Sequence, residues 1–77
     1  MSLKQYFDKY VIIITDDGKA FTGLVDDYIY PEDNENNLES IVLKTKKGNL
    51  YEFTNDDIET IEIIKGEKQW KQLQLKA

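Results

Sequence analysis

The stretch "ITDDGKAFTGLVDDY", residues 14–28, decides the fold because it places a turn beside a strand that must bend. Asp17–Gly18 separates two apolar runs, and Asp-Gly in that position is a strong signal for a β-hairpin whose two central residues have positive φ. Gly23 lies inside the second run, where glycine marks a sharp bend or a close approach of two backbones. The stretch therefore predicts a hairpin followed by a long strand bent at Gly23.

Two aspartate pairs in the same stretch, Asp16–Asp17 and Asp26–Asp27, raise the question of a metal site or a catalytic pair. The turn already explains the first pair. Asp26 and Asp27 are neighbours on a predicted strand, so their side chains point to opposite faces and cannot act together. We therefore predict no catalytic residues and no metal ligands here.

The remaining residues predict a short helix and four more strands. Ser2 can cap a helix over residues 2–8, in which Leu3, Tyr6 and Phe7 share one face. Apolar and β-branched runs predict strands over 9–15, 19–30, 40–45, 50–54 and 58–65. Thr54 and Asp57 have the spacing of a capping box in the turn between the last two strands. The predicted core consists of Val11, Ile13, Phe21, Val25, Ile41, Leu43, Phe53, Ile61 and Ile63.

The composition excludes several kinds of function. The 77 residues suffice for one domain, and the sequence contains neither cysteine nor histidine. Disulfides, thiolate sites and histidine-based catalysis are therefore excluded, and we predict a non-enzymatic protein without a cofactor. The longest apolar run, Tyr10–Ile14, is too short for a signal peptide or a membrane span, which predicts a soluble, cytoplasmic protein without membrane partners.

The charges are distributed unevenly along the chain. Residues 1–62 contain 14 acidic residues and 6 lysines, a balance of −8, whereas residues 63–77 contain 4 lysines and one glutamate, a balance of +3. All 10 basic residues are lysines, so the arginine contacts typical of nucleic-acid recognition are missing. We divide the chain into a barrel domain, residues 1–65, and a basic tail, residues 66–77, that could dock on the acidic domain or reach a partner.

The order of these elements resembles the Sm-like family, the five-stranded open barrels of Sm, LSm and Hfq-type proteins. "EFTNDDIETIEI", residues 52–63, resembles the second motif of the family. The resemblance implies a mainly β fold: a strongly bent, antiparallel, five-stranded open barrel with a short N-terminal helix, similar to SH3-like barrels. The first motif of the family is matched in order by Val11, Ile13, Asp17, Gly18, Phe21, Gly23, Val25 and Tyr28.

The RNA-binding residues of that family are largely replaced. Ile29 stands where an aspartate usually follows the aromatic, and Thr54–Asn55 replaces the Arg-Gly that closes the nucleotide pocket. The resemblance therefore implies the barrel but not the uridine site. The net charge of −5 also disfavours RNA.

Two function hypotheses remain open. The first is an interaction or assembly module that forms a homo-oligomer through its open edges, because those edges pair between subunits in the Sm-like family. Alternatively, the tail, with Trp70, could fold back over an open edge and keep the protein monomeric. The second is a divergent RNA-binding protein that uses Lys44, Lys46, Lys47 and the basic tail. The candidate contacts with RNA or a protein partner are Tyr28, Lys44, Lys46, Lys47, Thr54, Asn55 and Trp70, and the apolar edge residues are Tyr51, Phe53, Ile58 and Ile64.

Overall fold

The computed structural model describes residues 2–64 and shows a mainly β fold with five antiparallel strands in one open sheet. The strand order is β4-β3-β2-β1-β5, so the last strand returns to pair with the first, and β4 and β5 form the two edges. Three short 3-10 turns, η1 to η3, complete the fold. The elements are η1 (Leu3–Tyr6), β1 (Tyr10–Thr15), β2 (Ala20–Ile29), η2 (Pro31–Asp33), β3 (Ser40–Lys44), β4 (Leu50–Thr54), η3 (Asn55–Asp57) and β5 (Ile58–Ile63).

The sheet is strongly curled, because its two edge strands are joined by a very short connection. Only Asn55–Asp57 separates the end of β4 from the start of β5. Four residue steps span at most about 14 Å, whereas the edges of a flat five-stranded sheet lie about 19 Å apart. The strands must therefore bend until the edges approach each other at η3. A hydrogen bond from Asp16 N–H to Asp57 O (3.1 Å) fixes the β1–β2 turn to η3 at this point.

The β1–β2 and β3–β4 turns have the same geometry. In the first, Thr15 N–H donates to Lys19 O (2.9 Å) and Gly18 N–H donates to Thr15 O (3.0 Å), and residues 45–49 repeat both bonds. Gly18 has a φ of 85°, which favours glycine. The prediction of positive φ at both residues of the Asp-Gly pair was wrong. The loop has three residues, and a type I turn followed by one left-handed residue needs only the glycine.

Gly23 lies where two parts of the sheet meet, as the sequence predicted. β2 pairs with β1 over residues 20–24 and with β3 over residues 24–29, with a bulge between Val25 and Asp27. Gly23 is buried, and a Cβ at this position would lie 2.5 Å from the carbonyl oxygen of Lys44 in β3. The close approach of these two backbones requires the absence of a side chain.

Most of the predicted core is confirmed. Phe21 and Ile61 are half-buried and pack against the core, but Ile63 is 44% exposed, so its assignment to the core was wrong. Ile63 lies opposite the fully buried Val11 and therefore on the inner face. It is exposed because β5 is an edge strand and no further strand among residues 2–64 covers that face. The buried apolar residues are Leu3, Tyr6, Val11, Ile13, Val25, Ile41, Leu43, Phe53 and Ile64.

The predicted N-terminal helix is a 3-10 turn, Leu3–Tyr6. Ser2 caps it, since the Ser2 hydroxyl accepts a hydrogen bond from Lys4 N–H (3.2 Å). Leu3 and Tyr6 are buried, but Phe7 is 49% exposed. A 3-10 turn has three residues per turn, so positions i and i+3 share a face and position i+4 does not.

The strands agree with the predicted ranges within one or two residues, and β4 matches exactly the range 50–54. None of the helical segments within residues 2–64 has the length and apolar character needed to cross a membrane. Residues 65–77 lie outside the described part of the chain, so the predicted basic tail and Trp70 lie there as well.

Candidate functional site

Two of the predicted contact residues, Tyr28 and Asn55, meet at the carboxylate of Glu39. The Tyr28 hydroxyl donates to Glu39 Oε1 (2.9 Å) and Asn55 Nδ2 donates to Glu39 Oε2 (2.7 Å). Leu3 N–H also donates to Oε1 (2.9 Å), and the Ser2 hydroxyl lies 3.5 Å from the same oxygen. Glu39, the residue that precedes β3, therefore connects η1, β2 and η3.

This arrangement explains the electrostatics of the cluster. Partial burial by itself raises the pKa of Glu39, but the hydrogen bonds from Asn55, Leu3, Tyr28 and Ser2 outweigh that effect and hold the pKa below its ordinary value. Burial, and then the hydrogen bond to Glu39, raise the pKa of Tyr28. Sequence reasoning missed Glu39, because its partners lie between 11 and 37 positions away along the chain.

We expect Glu39→Gln to destabilise the protein at neutral pH by about 2 kcal/mol, since charged hydrogen bonds are lost. The pKa of Glu39 is lower in the folded state than in the unfolded state. Its stabilisation is therefore complete above the unfolded pKa and disappears as the pH falls through the folded pKa. Urea unfolding curves recorded from pH 7 down to about pH 3 should show the variant and the parent converging in acid.

Glu35→Gln is the matched control, because Glu35 is an exposed residue of the same loop. It should unfold like the parent at every pH. A Glu39→Gln variant whose deficit stays the same at about pH 3 would show that the carboxylate charge does not stabilise the fold.

The other predicted contact residue of this turn, Thr54, is also engaged within the protein. Its backbone N–H (3.0 Å) and its hydroxyl (3.1 Å) both donate to Asp57 Oδ2. The predicted pairing of Thr54 with Asp57 is therefore confirmed. Through these bonds, and through the bond from Asn55 to Glu39, Thr54 and Asn55 stabilise the β4–β5 connection.

The lysines of the RNA hypothesis lie at some distance from Tyr28. Lys44 pairs with Leu24 in the β2–β3 ladder, whereas Tyr28 pairs with Ile41. The four residue steps from Leu24 to Tyr28 correspond to about 13 Å along the strand. Lys46 and Lys47 are exposed in the turn beyond Lys44. The structure thus groups the three lysines on one hairpin and does not bring them to Tyr28 or Asn55.

A groove that we call the aromatic groove contains Tyr28 and four residues that were not among the predicted contacts. It is lined by Lys4, Phe7, Asp27, Tyr28 and Tyr30. The rings of Tyr28 and Tyr30 meet edge to face, with centroids 5.1 Å apart and an interplanar angle of 83°. Lys4 Nζ lies 5.1 Å from the centroid of the Tyr30 ring. The spacing Tyr28-x-Tyr30 could have indicated this groove, because residues i and i+2 of an extended chain share a face.

The apolar edge residues fall into two groups. Phe53 and Ile64 are buried and Ile58 packs against the core, so the chain already covers these side chains. Tyr51 is 39% exposed. Tyr51 lies opposite the fully buried Leu43, so it points to the inner face of the sheet, as Ile63 does on the other edge. We call these two residues, Tyr51 and Ile63, the open seam.

An acidic groove lies beside the β1–β2 turn. The Thr15 hydroxyl donates to Asp17 and lowers the pKa of that carboxyl. Within residues 2–64, no group of three or more acidic side chains is placed to hold a metal ion. The residues that line this groove are Thr15, Asp16, Asp17, Lys19, Phe21, Glu52, Phe53 and Asp57.

No family model, curated protein or solved structure matches this chain. The open seam and the aromatic groove are therefore the features from which a function can be inferred.

Proposed function

We propose that the protein is a non-enzymatic assembly module, an open barrel of the Sm-like kind whose two edge strands pair with those of other copies. The open seam is the observation that supports this proposal. Tyr51 and Ile63 point to the inner face but are 39% and 44% exposed. An additional strand at each edge would cover them and would pair the free backbone groups.

Pairing of β4 in one copy with β5 in the next is heterologous, because the two surfaces differ. Such pairing continues from copy to copy until the rotation closes a ring. Within residues 2–64 both edges are available, since β4 and β5 are not paired with each other in the strand order β4-β3-β2-β1-β5. A small domain whose core supplies little stability also gains from burying further apolar surface.

The charges of the edge strands determine how the assembly should depend on salt. The charged residues of β4 and β5 are Glu52, Glu59 and Glu62, all acidic and exposed. Like charges on adjoining strands repel, and dissolved salt screens exposed charges. The proposed assembly should therefore become tighter as the salt concentration rises.

We expect Ile63→Lys to convert the assembled protein into a monomer, because it places a charge in the open seam. Light scattering coupled to size exclusion measures the mass. Phe7→Lys is the matched control: Phe7 is exposed to a similar extent, 49% against 44%, but lies on neither edge strand. It should leave the mass unchanged. A monomeric parent, or an Ile63→Lys variant with the parent's mass, would refute assembly through the seam.

A chain that ends at Gly66 separates this proposal from the alternative in which the tail covers the edge. The assembly should persist in the shortened chain if β4 and β5 pair between copies. A parent that is monomeric and a shortened chain that aggregates would show instead that the tail protects the edge.

The second candidate function, RNA binding, is supported by one observation: Lys44, Lys46 and Lys47 are exposed together at the β3–β4 hairpin. RNA binding should weaken as the salt concentration rises, whereas the assembly should become tighter, because salt competes with the contacts to phosphates. The anisotropy of a fluorescently labelled oligo-U should therefore rise when the parent protein is added at low salt. Replacing the three lysines with glutamine would remove that change.

A further inference from the structure

One of the residues that line the aromatic groove, Lys4, places its ammonium group over an aromatic ring. Its nitrogen lies 5.1 Å from the centroid of the Tyr30 ring, within the distance at which a cation is attracted to an aromatic face. The Tyr28 ring stands at 83° to the Tyr30 ring, and Phe7 and Asp27 complete the lining. Three aromatic side chains, a carboxylate and an ammonium group thus line one groove.

We propose that this groove is a binding site for a lysine side chain of a partner protein, whose ammonium group takes the place of Lys4 over the Tyr30 ring. The site is separate from the open seam, since its residues lie in or next to η1 and at the end of β2. The proposal therefore does not depend on assembly through the edge strands.

The charges around the groove select a cation rather than a nucleotide. Asp27 lines the groove, Glu32 and Asp33 follow Tyr30 within three positions, and all three acidic residues are exposed. Residues 2–64 contain 14 acidic residues and 6 lysines, a balance of −8. Aromatic rings alone would also stack on a base, but this field repels a phosphate backbone and attracts a basic peptide.

Exchange of one ammonium group for another is a step that the groove can accommodate. Lys4 is an exposed residue on η1, and its long side chain can turn into solvent when another lysine enters. Phe7 and Tyr30 are 49% and 46% exposed, so the entering side chain meets open aromatic faces. The Tyr28 hydroxyl is held by Glu39 (2.9 Å), which fixes the orientation of its ring before binding.

The test is a titration of the full chain with an acetylated tetralysine amide, followed by the NMR resonances of the tyrosine rings. A matched peptide with glutamine in place of lysine is the ligand control. We expect the lysine peptide to shift the resonances of Tyr28 and Tyr30, and the glutamine peptide to leave them in place. Tyr30→Ala should weaken binding about 10-fold, whereas Tyr51→Ala should have no effect because Tyr51 lies in the open seam.

Two further variants separate the site from general attraction between charges. Lys4→Ala should tighten binding about 3-fold, because the competing ammonium group is removed. Lys9→Ala removes the same charge from an exposed position outside the groove and should not change the affinity. Equal effects of these two variants would show non-specific attraction and overturn the proposal, as would an unchanged affinity in Tyr30→Ala.

Two other results would assign the groove to a different occupant and also overturn the proposal. If the peptide binds only to a chain that ends at Gly66, the groove belongs to the protein's own basic tail. If oligo-U shifts the Tyr28 and Tyr30 resonances at lower concentrations than the peptide does, the groove binds bases.

Discussion

Gly23→Val is expected to destabilise the fold by about 3 kcal/mol, because there is no space for a side chain at this position. A Cβ would lie 2.5 Å from Lys44 O and 3.0 Å from the side chain of Leu43. The nearest atom belongs to the backbone of β3, which cannot turn away as the end of a flexible side chain could. A single core in a domain of this size rarely supplies more than about 3–5 kcal/mol, so the variant should retain about 2 kcal/mol at most and should unfold at a much lower urea concentration than the parent. Urea unfolding followed by circular dichroism measures the effect.

Thr22→Val is the control for this substitution. Thr22 lies next to Gly23 on β2 and is half-buried, and the change keeps the residue β-branched at nearly constant volume. It should unfold within about 0.5 kcal/mol of the parent. A Gly23→Val variant that unfolds at the same urea concentration as the parent would show that β2 and β3 do not approach each other as described.

Leu3→Ala should cost about 3 kcal/mol, since Leu3 is fully buried and the change leaves a cavity. The side chain of Leu3 belongs to the main core cluster, although it comes from η1 rather than from the sheet. We therefore expect η1 to act as part of the core and not as a detachable N-terminal segment. Urea unfolding again measures the effect.

Phe7→Ala is the comparison that makes this prediction informative. Phe7 has a larger side chain than Leu3, but it is 49% exposed, so its removal should cost less than about 1 kcal/mol. Equal losses from the two changes would mean that η1 does not present Leu3 and Phe7 to different environments.

The strands and turns could be predicted from the sequence because their signals are local. Apolar and β-branched runs predicted the five strands within one or two residues of their ends, and the glycines of the two hairpins predicted the turns. Gly23 was recognised as a point of close approach for the same reason. Each of these features depends on a few neighbouring residues and on the backbone angles that those residues can adopt.

The exposure of the edges depended on the tertiary structure. Ile61 and Ile63 have the same residue type and the same alternation on β5, and both point to the inner face of the sheet. Ile61 packs against the core, whereas Ile63 is 44% exposed. Alternation shows which face a side chain occupies, but it does not show whether another element covers that face.

The Glu39 cluster and the aromatic groove also depended on contacts between distant parts of the chain. Glu39 looked like one acidic residue among many until Leu3, Tyr28 and Asn55 were placed around it. The aromatic groove exists because η1 brings Lys4 and Phe7 to the end of β2. The sequence by itself determined which strands and turns form, through local backbone preferences. Only the tertiary structure decided which side chains meet and which remain exposed, because these properties depend on how the curled sheet brings residues together from far along the chain.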